Sequence, residues 1–351
     1  MKAEFFMASS CAKGYVNLFP SLMRESGMHI CILKGTAGSG KSSMMKRIAK
    51  RLSDSGEFVE LIHCSSDPYS LDGVICRRKG FAIVDGTNPH PLEPAYPIVG
   101  QSIISLFECI DKNKVQTGEI EELFDRCSAL HARAGRFVST AASILDDIIL
   151  STERNIDREK LERYFSGLVA DTIPRKSVDG STSVRFQGTV TSLGICDFAS
   201  ANLESCKNKR IISDSIGAVS SAAMKLIADS AVEKGYDIIV CKNPLSADDR
   251  IQSVIVPELS LGFASSGFGQ IKSDGVRIIH EQRFLKTPPS AQDLSRAAFA
   301  KKVSSSLLCE ASSLMSQAKL IHDEIEKIYI PAVNFNMISE IEKNIISSFN
   351  L

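Results

Sequence analysis

The chain has 351 residues, with 41 basic and 41 acidic side chains, 44% hydrophobic and 23% charged content; this is the composition of a folded globular protein able to bury one large core or two modest ones. A formal charge of zero removes any global electrostatic case for nucleic acid or an anionic membrane as partner. No stretch approaches the roughly 18 apolar residues of a membrane span, and Phe5, Phe6, Met7 and Ala8 are too short a run for a signal-peptide core.

Ten cysteines are scattered without a C-x-x-C pair or zinc-type spacing, and Cys31, Cys64 and Cys241 adjoin apolar runs. They read as buried free thiols in a reducing compartment, so a cytoplasmic protein is expected.

The first informative element is a strand-like run at residues 29–33, His-Ile-Cys-Ile-Leu. After it, Gly35, Thr36, Ala37, Gly38, Ser39, Gly40, Lys41 and Ser42 satisfy G-x-x-x-x-G-K-[ST] at every fixed position, the pattern of a phosphate-binding P-loop. Glycines there permit positive φ, so that successive backbone N–H groups turn toward phosphate oxygens. From Ser43 to Leu52 apolar residues recur at helical spacing, and a helix N-terminus adds unpaired N–H groups and a positive dipole end. Lys41 is expected to reach the β- and γ-phosphates, and Ser42 to ligate a Mg²⁺ ion bridging them. Ser43 joins the loop as a candidate nucleotide contact, and the cofactors implied are ATP and Mg.

Gly80, Phe81, Ala82, Ile83, Val84 and Asp85 predict a short buried parallel strand that ends in a carboxylate, at the edge where open α/β sheets place their ligands. Asp85 is the second candidate metal ligand. No Glu follows it, so the adjacent water-activating carboxylate of many ATPases is missing. Asp67, Asp72 and His90 are the candidates for a catalytic base, all expected on loops beside the phosphate end of the sheet. Each could equally cap a turn.

From Thr117 to Leu150, and again from Ala291 to Ile330, apolar residues follow helical spacing, predicting two helical arms. His131 and His322 hold like places in them and read as packing or capping residues. Between the arms, residues 176–183 are small and polar, a linker signal, and Pro174 would end a preceding helix.

The chain also repeats itself. A shift of 179 lays residues 35–56 over 214–235 with seven identities, among them Gly38 on Gly217 and Met45, Lys46, Ile48 and Ala49 on Met224, Lys225, Ile227 and Ala228. A shift of 182 lays Gly80, Phe81 and Ala82 over Gly262, Phe263 and Ala264. In these registers Gly35 becomes Asp214, Gly40 becomes Val219, Lys41 becomes Ser220, and Asp85 falls on Gly267. An Asp repelling phosphate and a β-branched residue resisting the loop geometry predict a second copy without a working nucleotide site. The expected fold is thus α/β, a duplicated P-loop NTPase-type mostly parallel sheet flanked by helices, with a helical arm after each copy. Residues 1–177 would form the active copy and 178–351 the degenerate one.

Residues 13–19, the P-loop, residues 63–74, residues 84–90 and residues 322–330 together resemble a bacterial family of P-loop ATPase-like proteins, over nearly the full chain. The resemblance implies two P-loop halves, ATP binding and hydrolysis, and it brings no substrate with it. The family's second half often keeps a recognisable P-loop, and this chain's does not. The resulting expectation is a Mg-dependent ATPase with one site per chain, its hydrolysis driving a rearrangement between the halves or in a protein partner. The alternatives are a nucleotide or small-molecule kinase, with Arg77, Arg78, Arg133 or Arg136 as clamp, and a non-hydrolysing regulatory or scaffold protein. The absence of an N-K-x-D segment disfavours GTP.

Overall fold

The computed structural model describes residues 2–115, 118–246, 249–266, 271 and 274–351. The first half runs β1 (Lys2–Phe6), β2 (Ala8–Cys11), β3 (Gly14–Asn17), α1 (Phe19–Leu22), β4 (His29–Lys34), α2 (Lys41–Asp54), β5 (Val59–His63), β6 (Leu71–Cys76), β7 (Phe81–Asp85), β8 (Gln101–Ser105), α3 (Ile120–Glu153) and α4 (Arg158–Thr172). The second runs β9 (Thr182–Phe186), β10 (Gly188–Thr191), β11 (Gly194–Asp197), α5 (Ala199–Glu204), β12 (Asn208–Ser213), α6 (Ala218–Glu233), β13 (Ile238–Lys242), β14 (Ile251–Val256), β15 (Leu261–Ser265), β16 (Arg277–His280), α7 (Ala291–Tyr329) and α8 (Phe335–Ser348).

Twelve of the strands form one sheet, and its order is β8-β4-β7-β6-β5-β1 through the first half, then β9-β13-β14-β15-β12-β16 through the second. Within each half the pairing is parallel except at β6 and β14, which run against both neighbours. The halves meet where β1 and β9 pair antiparallel at Phe6 and Phe186, so the same strand order radiates from that junction in both directions. The remaining strands make two hairpins, β2 with β3 and β10 with β11.

Strand alternation sets the layers. In β4, Ile30 and Ile32 join the core that holds Phe19 and Leu22 of α1, while Cys31 and Leu33 join the one holding Met44, Met45 and Ile48 of α2. The helix α2 is therefore anchored on one face of the sheet by every other residue of the strand before it.

The long helices α3 and α7 share a core of small and apolar side chains, including Ala134, Val138, Ala141, Leu308, Ala311 and Leu314. Beyond them the arms cross over. Phe165, Leu168 and Val169 of α4 pack in the core of α6, which belongs to the second half. Ile338 and Ile345 of α8, with Leu351, pack in the core of α2, which belongs to the first. Matching bridges pin both crossings, Ile110 to Val333 and Ile156 to Leu285. Among the described residues no helix is long and apolar enough to cross a membrane.

Several expectations change. Thr182 and Ser183, expected in the linker, open β9. Asp72, expected on a loop, lies on β6, whose six residues are all buried. In element order β15 matches β7 at a shift of 180, not 182, so Ser265 stands at the place of Asp85. Gly267, the expected counterpart, lies outside the described residues.

Candidate nucleotide site

β4 and β7 are parallel neighbours, with Leu33 opposite Asp85. The loop leaving β4 therefore starts beside the acidic end of β7. It takes left-handed backbone at Gly38 (φ 70°) and Gly40 (φ 80°), a conformation that costs a residue with a Cβ about 1–2 kcal/mol, and Gly40 is the N-cap of α2.

Lys41 bends back over the loop. Its Nζ donates to the carbonyls of Gly35 at 3.2 Å and Thr36 at 2.8 Å and lies 3.6 Å from Asp85 Oδ2. Ser39 Oγ donates to the Thr36 carbonyl at 2.8 Å and closes the turn, and Ala37 packs beside Ile321 and Ile325 of α7. Ser42 Oγ accepts the Leu71 amide at 3.0 Å, which ties the start of α2 to β6, and Ser43 follows in the first turn of the helix.

Asp85 Oδ1 accepts the amide and hydroxyl of Thr87 at 2.9 and 2.6 Å, leaving Oδ2 toward Lys41. Buried His90 sits behind it, Nε2 3.2 Å from Asp72 Oδ2 and Nδ1 3.1 Å from the Asp85 carbonyl oxygen. Burial opposes a charge there, but Asp72 and Asp85 together outweigh it and raise the imidazole to about 9. A protonated imidazole has no lone pair to take a proton, so at neutral pH His90 is fitted to position Asp72 rather than to act as a base.

Asp67 stands apart from this group. Its oxygens accept the Tyr69 amide at 3.1 Å and the Ser70 hydroxyl at 3.0 Å, and Lys319 Nζ of α7 lies 3.7 Å away. The structure thus joins Lys41, Asp85, His90 and Asp72, and ties Asp67 to its own turn and to the other half. The Ser42 hydroxyl and the carboxylates of Asp85 and Asp72 are all oxygen donors, the chemistry a Mg²⁺ ion prefers.

The proposed phosphoryl clamp does not assemble at this end of the sheet. Arg77 pairs with Glu25 and Glu60, and Arg78 with Glu57; both precede the first residue of β7, opposite the end that carries Asp85. Arg133 and Arg136 are exposed on α3. His322 has Glu326 one helical turn on, at 3.8 Å, a neighbour its reading as a packing residue passed over. With Asp323 these two bring ligand-type atoms within 4.8 Å of one another, but Lys319 already bonds Asp323.

The corresponding loop of the second half has a different construction. Four residues, 214–217, separate β12 from α6, against six, 35–40, between β4 and α2. Val219 and Ser220 accordingly lie in the first turn of α6, and no conflict between Val219 and a left-handed backbone arises. Asp214, fully buried, does not simply repel phosphate. Its Oδ1 accepts the amides of Ile216 and Gly217 at 3.0 and 2.8 Å, and its Oδ2 that of Ser220 at 2.7 Å. The carboxylate occupies the place an anion would take.

Two contacts at the first loop had no sequence signal, because the partners are nearly 300 positions apart. A Cβ on Gly38 would lie 2.7 Å from Ile330 Cγ1, and one on Gly40 would lie 3.6 Å from the Phe335 ring. No family model, curated protein or solved structure matches the chain.

Proposed function

We propose that this chain is a duplicated P-loop protein that binds one MgATP, at residues 35–43, and hydrolyses it. The observation that carries the reading is the placement of Lys41. Its ammonium lies over a loop with two left-handed glycines, 3.6 Å from a carboxylate at the end of the adjacent parallel strand. Backbone amides, the α2 N-terminus and Lys41 would hold the triphosphate. Ser42 and Asp85 would hold the Mg²⁺, whose chemistry is to neutralise charge on the transferred phosphoryl group. Asp72, held by His90, is the carboxylate best placed to orient a water.

Duplication is supported by the matching strand order on either side of the β1–β9 junction, and a single site by the Asp214 carboxylate inside the second loop. Ile330 and Phe335, which reach the first loop from the other half, support coupling of nucleotide state to the arms. Hydrolysis is favoured over phosphoryl transfer because Arg77 and Arg78 are engaged at the far end of the sheet.

The test is nucleotide affinity and phosphate release with ATP and Mg²⁺, for wild type and Lys41→Ala. A loss of at least about tenfold in either quantity is expected. If the variant matches wild type in both, the reading fails.

A further inference from the structure

The two flanks of the P-loop differ chemically. On the β7 side stand Asp85, His90 and Asp72. On the other side β8 pairs with β4, and the Leu106 amide donates to the Lys34 carbonyl at 2.7 Å, so the chain leaving β8 passes directly along the loop. There it meets the link between α7 and α8. The Asp111 amide donates to the Ala332 carbonyl at 2.9 Å, and the Asn334 amide to the Cys109 carbonyl at 2.7 Å. Over these joined segments lies an open groove of about 580 Å³, lined by Cys109, Asp111 and Lys114 from one half and Val333, Phe335 and Met337 from the other.

We propose that this groove receives the nucleobase and ribose of the bound nucleotide, the base stacking on Phe335. The inference rests on the P-loop reading above. Lys41 and Asp85 mark the γ-phosphate end of the site, so the triphosphate runs along the loop toward Gly40 and the first turn of α2. Its nucleoside then emerges on the β8 flank. Phe335 stands at that point, against Gly40, and 47% of its surface is exposed. A half-exposed aromatic side chain beside a phosphate loop offers a base a stacking partner, while Asp111 and Lys114 give the groove a polar rim. The volume lies within the roughly 300–1,000 Å³ of small-ligand sites. Because each half supplies one wall, the bound nucleoside would fasten the second arm to the first sheet.

The test compares Mg²⁺-dependent binding of ATP and of inorganic tripolyphosphate to wild type, Phe335→Ala, Phe335→Tyr and Lys41→Ala. Phe335→Ala should weaken ATP by about tenfold or more, the loss expected for one stacked base, and leave tripolyphosphate within about twofold. Phe335→Tyr should restore ATP, and Lys41→Ala should weaken both ligands. Unchanged ATP binding in Phe335→Ala, or equal losses for the two ligands, overturns the base site while leaving the P-loop intact. No effect of Lys41→Ala on either ligand overturns the P-loop reading itself. Photolabelling with 8-azido-ATP gives a readout independent of affinity. Label on residues 331–337 supports the groove, and label confined to other segments refutes it.

Discussion

The Asp214 carboxylate and the Ser220 amide, 2.7 Å apart, close the second loop around the chain's own negative charge. A second carboxyl, that of Glu281, hydrogen-bonds to it. Burial pushes Glu281 up to about 9, and Asp214 adds to the rise. Asp214 is held low against burial by that bond and by the backbone amides of Ser220, Gly217 and Ile216. The pair therefore keeps one proton.

Glu281 thus retains in the folded state a proton that the unfolded chain releases above about 4.5. Its contribution to stability is complete below that value and is lost as pH rises toward 9. Asp214 acts in the opposite sense, losing its contribution as pH falls below the ordinary carboxylate range. Urea unfolding midpoints should decline between pH 5 and 9, and Glu281→Gln should flatten the decline. An identical slope in the variant would count against the shared proton.

His90 sets a second dependence. Raised to about 9, it stays protonated through neutrality and releases Asp72 as pH climbs past that value. Phosphate release should fall on this alkaline limb. His90→Gln should lower turnover by about 10- to 100-fold through misplacement of Asp72 and remove the limb. Turnover measured from pH 6 to 10 decides, and a limb that persists in the variant assigns it to another group.

Gly38→Ala should destabilise the fold. A methyl there meets Ile330 Cγ1 at 2.7 Å and the Glu326 carbonyl oxygen at 3.3 Å, at φ +70°. The backbone contribution alone is about 1–2 kcal/mol. Adding Ile330→Ala should recover the steric part and not the backbone part. Thermal melts of the single and double variants separate the two.

Glu60 and Arg185, 1% and 0% exposed at the side chain, pair across β1, the strand at the junction of the halves. Arg185 Nε donates to Glu60 Oε2 at 3.0 Å, and Arg77 Nε to Oε1 at 2.6 Å. Glu60→Gln leaves a buried guanidinium without its counter-ion and should cost about 3–5 kcal/mol. Replacing both partners, as Glu60→Leu with Arg185→Met, should cost less than the single change. Denaturant unfolding of the set checks the ordering.

What could be read from residues alone was local. The strand, loop and helix at positions 29–52 are contiguous, and so is the strand ending at Asp85, so their spacing carried both type and position. Asp72 and Gly73 resemble turn residues. They sit in a buried strand because His90, on a later loop, satisfies the carboxylate, a pairing that spacing does not reveal. Identity at a shift of 179 aligned α2 with α6 but hid that α6 begins two residues earlier, at Ala218, which shortens the loop before it. The helical spacing read at 117–150 and 291–330 stopped short of α4 and α8, and nothing in the sequence stated which sheet each would cover.

That exchange of helices constrains how the molecule can be made. During synthesis α2 emerges early, yet the apolar side chains that cover it, Ile338, Ile345 and Leu351, are added roughly three hundred residues later, and Arg47 waits as long for Glu342. The first half therefore completes its core only after the other half has been translated.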